Sequence, residues 1–262
     1  MTGENPRQRS LLQRLAILVA VAWQIGATFL PQLGLGEPIG DRSDSVRTLI
    51  TPSGWAFAIW GPLFFGSAVF ALWQILPKQV DNALVAWIGW WAALALAAQG
   101  AWATYTQFAN LTAISAIIIA TSLFGLLAIL RIMTHFSRDF TLAERIIVGV
   151  TFSALASWLT AATIVNISAT LVYHGLAGGF EYPAIAALMV VVGGTIAAAA
   201  VVRSKGNPWF AAVFCWAVLA IYFRGGQEAD SIALACIIAG LLVIGAAIVG
   251  LRDAESRRRW FG

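Results

Sequence analysis

The chain is a succession of long apolar runs separated by short clusters of charge, and that alternation restricts it to one kind of solvent. The runs lie at roughly 11–30, 53–76, 83–102, 109–131, 146–173, 183–202, 208–223 and 231–251. A helix needs about 20 residues to cross the hydrocarbon core of a bilayer. The seventh run, of roughly 16 residues, is the shortest. Only 11% of the residues are charged and the mean hydropathy is +0.82, against about 25% charge in a soluble domain. So apolar a chain cannot bury its side chains within one water-facing globule. The sequence therefore predicts an all-α membrane protein, a polytopic bundle of about eight spanning helices. Seven is the alternative if the short run does not cross.

Lysine and arginine test that count independently. With eight spans, the N-terminus, the even-numbered loops and the C-terminal tail share one side. That side holds Arg7, Arg9, Arg14, Lys78, Arg131, Arg138, Arg145, Arg203, Lys205, Arg252, Arg257, Arg258 and Arg259. The other side holds Arg42, Arg47 and Arg224. Cytoplasmic loops carry such an excess, so both termini are expected inside. Losing the seventh span would carry the four tail arginines across and weaken the bias. The first run follows arginines, as a secretory signal does, but ends in Phe29-Leu30-Pro31 without a small-residue cleavage site. It is read as a span. With no transit peptide, the expected location is a bacterial inner (plasma) membrane.

The loops and small residues add detail. Thr104-Tyr105-Thr106-Gln107 is read as a tight hairpin between the third and fourth spans. The segment Gln32–Thr51 is the longest outer loop, and serves either as a lid or as a solvated connector. Gly193-Gly194-Thr195 suits close helix packing. Cys215 and Cys236 lie within apolar runs and are read as small core residues. The net charge of +4 reflects the basic loops and implies no nucleic acid. The basic, aromatic tail Arg252–Gly262 fits attraction to anionic lipid or plain topology determination.

The available chemistry is sparse. No Asp, Glu, Lys or His falls near the centre of a span. Such residues usually mark proton relays and ion paths, so an ion-coupled pump is disfavoured. Both lysines lie in loops, and His135 and His174 fall at opposite faces. No nucleophile–base pair, metal cluster or phosphate loop stands out, and an enzyme is not the expected reading. What remains is amides and aromatics. Gln24, Gln74, Gln99 and Asn166 could bond neighbouring helices, each for about 0.6–2 kcal/mol, or a ligand. Trp87, Trp90 and Trp91 suit the membrane interface. Trp55 and Trp60 open the second span roughly 140° apart around a helix axis. Phe57, Trp60 and Phe64 share one stripe at spacings of three and four. An aromatic wall suits a planar apolar ligand, and helix packing accounts for the same stripe.

At these residues the chain resembles the tryptophan-rich sensory protein/translocator protein (TspO/MBR) family. Pro52-Ser53-Gly54-Trp55-Ala56-Phe57 and Trp60-Gly61-Pro62-Leu63-Phe64 are similar to the family's first-loop end and second helix. Gln99-Gly100-Ala101-Trp102 is similar to N-x-x-W of its third helix. The stretch from Trp158 to Asn166 is similar to W-x-x-x-A/T-x-x-L-N of its fifth. Gln99 stands where Asn is usual, Phe64 where Tyr is usual, and Ala156-Ser157 where Pro-Tyr is usual. The interval from Phe57 to Trp60 is one residue shorter than the usual pattern. The likeness covers roughly residues 10–175, so residues 1–175 are read as a five-helix core and 176–262 as three added helices with a basic tail.

The resemblance implies a pocket under the first loop that takes porphyrins, and in some members sterols or synthetic aromatic ligands. The site it implies consists of Trp55, Phe57, Trp60, Phe64, Gln99, Trp102, Trp158 and Asn166. The expected function is a membrane sensor or binding protein for a planar apolar molecule such as a tetrapyrrole. The alternative is a secondary transporter of an uncharged or amphipathic solute. Expected partners are membrane lipid and a hydrophobic small molecule, with a homodimer also compatible. Leu219–Arg224 carries a sterol-type pattern outside the matched region, which interfacial anchoring explains better.

Overall fold

Why the apolar runs become helices is set by the solvent. Hydrocarbon offers no hydrogen bonds, so each backbone donor and acceptor must be satisfied within its own segment. The computed structural model describes residues 9–176 and 182–262; Arg7, counted above among the inner charges, lies outside them. Among the described residues there is no strand. The elements are α1 (Leu11–Gly26), the short α2 (Ile39–Ser45), α3 (Trp60–Gln74), α4 (Ala83–Ala109), α5 (Ala113–His135), α6 (Thr151–Tyr173), α7 (Pro183–Arg203), α8 (Pro208–Tyr222), the short α9 (Gly225–Glu228), α10 (Asp230–Gly250) and α11 (Ala254–Phe261). Short 3-10 turns extend α1 to Phe29 and lead into α3 from Gly54, and a π-helical turn, Glu144–Val150, leads into α6. Eight of the resulting segments are long and apolar enough to cross a membrane.

The helix starts are chemically marked. Ser10, Asn82, Thr112 and Asn207 each accept a hydrogen bond from a backbone N–H of the first turn, the usual N-cap arrangement. Pro183 and Pro208 occupy first-turn positions, where a missing N–H costs least.

Two boundaries differ from the sequence reading. Thr104–Gln107 is not a hairpin loop: α4 continues through it to Ala109. The turn falls at Asn110, whose φ is 72°. Within that helix Thr104 bonds the carbonyl of Gly100 one turn back and accepts from Trp23 Nε1 of α1. The short seventh run is continued by α9, giving a segment of 21 residues, Pro208–Glu228.

Polar side chains bind the helices together. Asn207 donates to Ser153 Oγ at 2.7 Å, Ser157 to the Phe210 carbonyl at 2.7 Å, and Ser122 to the Ala95 carbonyl at 2.9 Å. At the end carrying the basic clusters, buried Arg9 donates to Gln13, to the side chain and carbonyl of Gln74, and to the Gln79 carbonyl. Burial, with Arg14 nearby, lowers its pKa to about 10, which leaves it charged at neutral pH. Glu144, almost fully buried, is saturated by Arg138, Asn82 and the Thr141 N–H. The tail is not spread on lipid throughout. Helix α11 docks on this end with Trp260 fully buried, its Nε1 at 3.2 Å from the carbonyls of Ser204 and Lys205. Arg259 is also buried and donates to the Met133 and Phe136 carbonyls.

Close packing of α7 on α10 depends on Gly194. A Cβ there would lie 2.5 Å from Ala239 Cβ and 2.7 Å from its Cα, distances that force the helices apart. Gly194→Val is therefore expected to destabilise the protein by about 1–3 kcal/mol, the usual cost of overpacking. The check is thermal unfolding in detergent; an unchanged Tm would mean that these helices do not meet at this glycine.

Candidate ligand-binding site

The end of the bundle opposite the basic clusters contains a cavity of about 610 Å³, within the range of small-molecule sites. The C-terminal end of α1 contributes Gln24 and Thr28. Phe57, Trp60, Gly61 and Phe64 come from the start of the second span, and Gln99, Trp102, Ala103 and Gln107 from α4. The first loop covers it through Gln32, Pro38, Ile39, Gly40 and Asp44, and Arg224 reaches in from beyond α8. The wall is aromatic. Trp60 and Phe64 stack with ring centroids 5.1 Å apart. Trp60 also meets Trp158 edge-on at 6.0 Å, and Phe57 meets Trp158 at 6.3 Å.

Behind this wall lies a narrow crevice of about 50 Å³. It shares Ile39, Phe57, Trp60 and Trp102 with the main cavity and adds Trp158 and Asn166. Of the eight residues singled out in the sequence, five line the main cavity and two line only the crevice. Trp55 lines neither. It packs edge-on against Trp216 at 4.9 Å and near Phe223, so its place is at the contact of the loop end with α8.

The polar groups are unevenly satisfied. Gln24 donates to Gln99 Oε1 at 2.7 Å, and Gln107 donates to the carbonyls of Ala27 and Ala103. Asn166 Oδ1 accepts from Ser115 at 3.0 Å. Yet Gln24 Oε1, Gln107 Oε1, Trp102 Nε1, Trp158 Nε1 and Asn166 Nδ2 are buried without a protein partner. Buried polar atoms are normally hydrogen-bonded. Here the residues that carry these unused donors and acceptors line one cavity and its crevice, with the unused atoms themselves turned away from the open space.

The first loop is fastened at two places. On one side Glu37 N–H and Arg42 both donate to the Gln107 carbonyl, at 2.9 and 3.1 Å. Gly36 makes this possible: its φ is +74°, and a Cβ would sit 3.0 Å from that carbonyl oxygen. On the other side Asp44 pairs with Arg224 at 2.7 Å, and Arg47 pairs with Glu228. Ser53 donates from both N–H and Oγ to the Ala220 carbonyl, and Trp216 donates to the Ala56 carbonyl. Arg224 is thus an ion-pairing residue at the cavity and not only an interfacial anchor. Gln107 and Arg224 were missed as site residues because each sat in a stretch read as loop or membrane boundary.

A family model described as TSPO-like protein matches residues 10–249, and the chain belongs to that family. The match runs through all eight spans, beyond the five to which the motif resemblance extended. No curated protein and no solved structure matches the chain.

The unpartnered donors make a differential prediction. Gln24→Leu leaves Gln99 Oε1 without its donor, a loss of about 1–3 kcal/mol. Trp158→Phe removes a desolvated N–H that bonds nothing, which offsets its lost ring contacts, so its stability should stay close to wild type. Thermal unfolding of the two variants in the same detergent checks this. An equal and large loss in both would mean that Trp158 Nε1 is engaged by the protein.

Proposed function

We propose that this TSPO-like membrane protein binds a planar, largely apolar small molecule, such as a tetrapyrrole, in the cavity beneath its first loop. The observation that carries the reading is the coincidence of an aromatic wall with unused hydrogen-bonding groups. A ligand slotted against Trp60 and Phe64 would gain stacking. An acceptor on that ligand, such as a carbonyl, would satisfy Trp102 or Trp158 Nε1 once the indole turned to expose its N–H to the crevice. Donors, such as pyrrole N–H groups, would suit Gln24 and Gln107 Oε1. With both termini inside, as the arginine and lysine bias favours, the cavity would open on the outer side of the membrane.

Binding without through-passage is favoured over transport by the opposite end of the bundle. There Arg9, Gln74, Glu144, Arg259 and Trp260 are buried and hydrogen-bonded to their surroundings. A carrier would have to release these contacts to open that side.

The test is titration of the detergent-purified protein with protoporphyrin IX, read by quenching of tryptophan emission and by the porphyrin's own absorbance. Saturable binding in the micromolar range is expected for wild type. The double variant Trp60→Ala/Trp158→Ala should weaken it at least about tenfold, equivalent to about 1.4 kcal/mol. Gly61→Leu should block it by another route. Gly61 lines the cavity, and a Cβ there meets nothing within 4 Å, so the added side chain occupies space without a clash. Quenching that never saturates, or is the same in all three proteins, would identify partition into the micelle and refute the assignment.

A further inference from the structure

Among the described residues lining the main cavity, Arg224 is the one cation and Asp44 the one acid. The two differ in how they are held. Arg224 lies 22% exposed in its side chain and also donates to the Pro52 carbonyl at 3.1 Å. Asp44 is 60% exposed, and among the described contacts its carboxylate meets only Arg224. The arginine is therefore fixed by a backbone carbonyl at the cavity rim, and the carboxylate is its solvated, replaceable partner. Asp44 is not needed to keep the loop closed, since Arg47–Glu228, Ser53–Ala220 and the ties to Gln107 remain without it.

We propose that Arg224 is a carboxylate-binding subsite, so that the ligand is amphipathic: a planar apolar body against Phe57, Trp60 and Phe64, with an acidic group that replaces Asp44 on Arg224. This rests on the cavity's being the binding site. A guanidinium presents parallel N–H donors that match a carboxylate, and it is weakly hydrated enough to serve at a half-buried rim. Exchanging one carboxylate for another keeps the arginine neutralised, while Asp44 returns to water from a position already largely solvated. The neutral amides and indoles deeper in the site discriminate polarity; the rim discriminates charge. The cation is contributed from beyond α8, a part of the chain outside the five-helix motif resemblance.

The experiment compares 4-(1-pyrenyl)butyric acid with its methyl ester, two probes of one planar body that differ in charge. Binding to the purified protein is followed by tryptophan quenching, and the specific part is that abolished by Gly61→Leu. The acid should bind wild type more tightly than the ester. Arg224→Gln should weaken the acid by about tenfold and leave the ester unchanged, and Arg224→Lys should recover part of the loss. Asp44→Asn should tighten the acid alone, because it removes the competing carboxylate. That variant keeps the test decisive if Arg224→Gln folds poorly. If Arg224→Gln and Asp44→Asn instead weaken acid and ester alike, the pair is a loop clasp and the inference falls while the cavity assignment stands. If neither probe shows a component sensitive to Gly61→Leu, both fall together.

Discussion

A polar atom inside hydrocarbon has no water to turn to, and the rest of this structure follows from that restriction. It enforces helices throughout the described spans, and it makes every intramembrane hydroxyl and amide a bond between helices or an exception. Most are bonds. Asn207–Ser153 and Ser157 to Phe210 join α8 to α6, and Ser122 to Ala95 joins α5 to α4. At the basic end most unpartnered buried atoms are Nε atoms of Arg14, Arg145 and Arg259, whose terminal nitrogens are already bonded; Trp209 is the other. At the opposite end, Arg42 Nε and Thr106 Oγ1 aside, the unpartnered atoms are amides and indoles of different helices whose residues line one space. Their convergence, more than any single residue, separates a site from ordinary packing.

That site belongs to the whole bundle. Its aromatic wall comes from the second span, but the backbone before it is held by α8. The Ala220 carbonyl takes two hydrogen bonds from Ser53, Trp216 reaches the Ala56 carbonyl, and Gly225 of α9 leaves no room for a Cβ against the Leu49 carbonyl oxygen. Ala217 and Ile221 line the crevice beside Trp158. The division at 175/176 drawn from the motif resemblance therefore marks no break in packing. The later helices supply the floor on which the first loop rests, consistent with a family match running through residue 249.

Architecture was legible because spans of 20 residues and clusters of like charge are coarse signals that survive local error. The seventh run shows the limit. Its 15-residue α8 looked short, and only the turn at Phe223-Arg224 and the following α9 complete it. The lining of the cavity was legible in part. Phe57, Trp60 and Phe64 could be grouped because helix geometry fixes their relative directions, and all three line the cavity. Trp55 could not be placed that way. It precedes the regular helix, in a 3-10 turn, and its position depends on Trp216, which is 161 residues later in the chain. Gln107 and Arg224 were misread for a related reason. Polar residues at a helix end look like loop residues until a partner from another helix is known. Periodicity reports on one helix at a time, whereas an ion pair such as Asp44–Arg224 depends on which ends meet.

The same reasoning bears on why such groups persist in so apolar a chain. Each desolvated, unpartnered donor or acceptor costs about 1–3 kcal/mol, and phenylalanine or leucine at Trp158, Trp102 or Gln107 would avoid that cost. Net stabilities are only about 5–15 kcal/mol, so several such groups in one place are a sizeable burden on the empty protein. Departures from local consistency of this kind are where function is expected to concentrate. A ligand that satisfied the groups would relieve the burden as it bound, so that part of its affinity would come from correcting a mismatch built into the protein. On the proposed function, the indole and amide groups would do more than shape the cavity: they would set which polar atoms a ligand carries, and an entirely apolar molecule of the right outline would leave them unsatisfied.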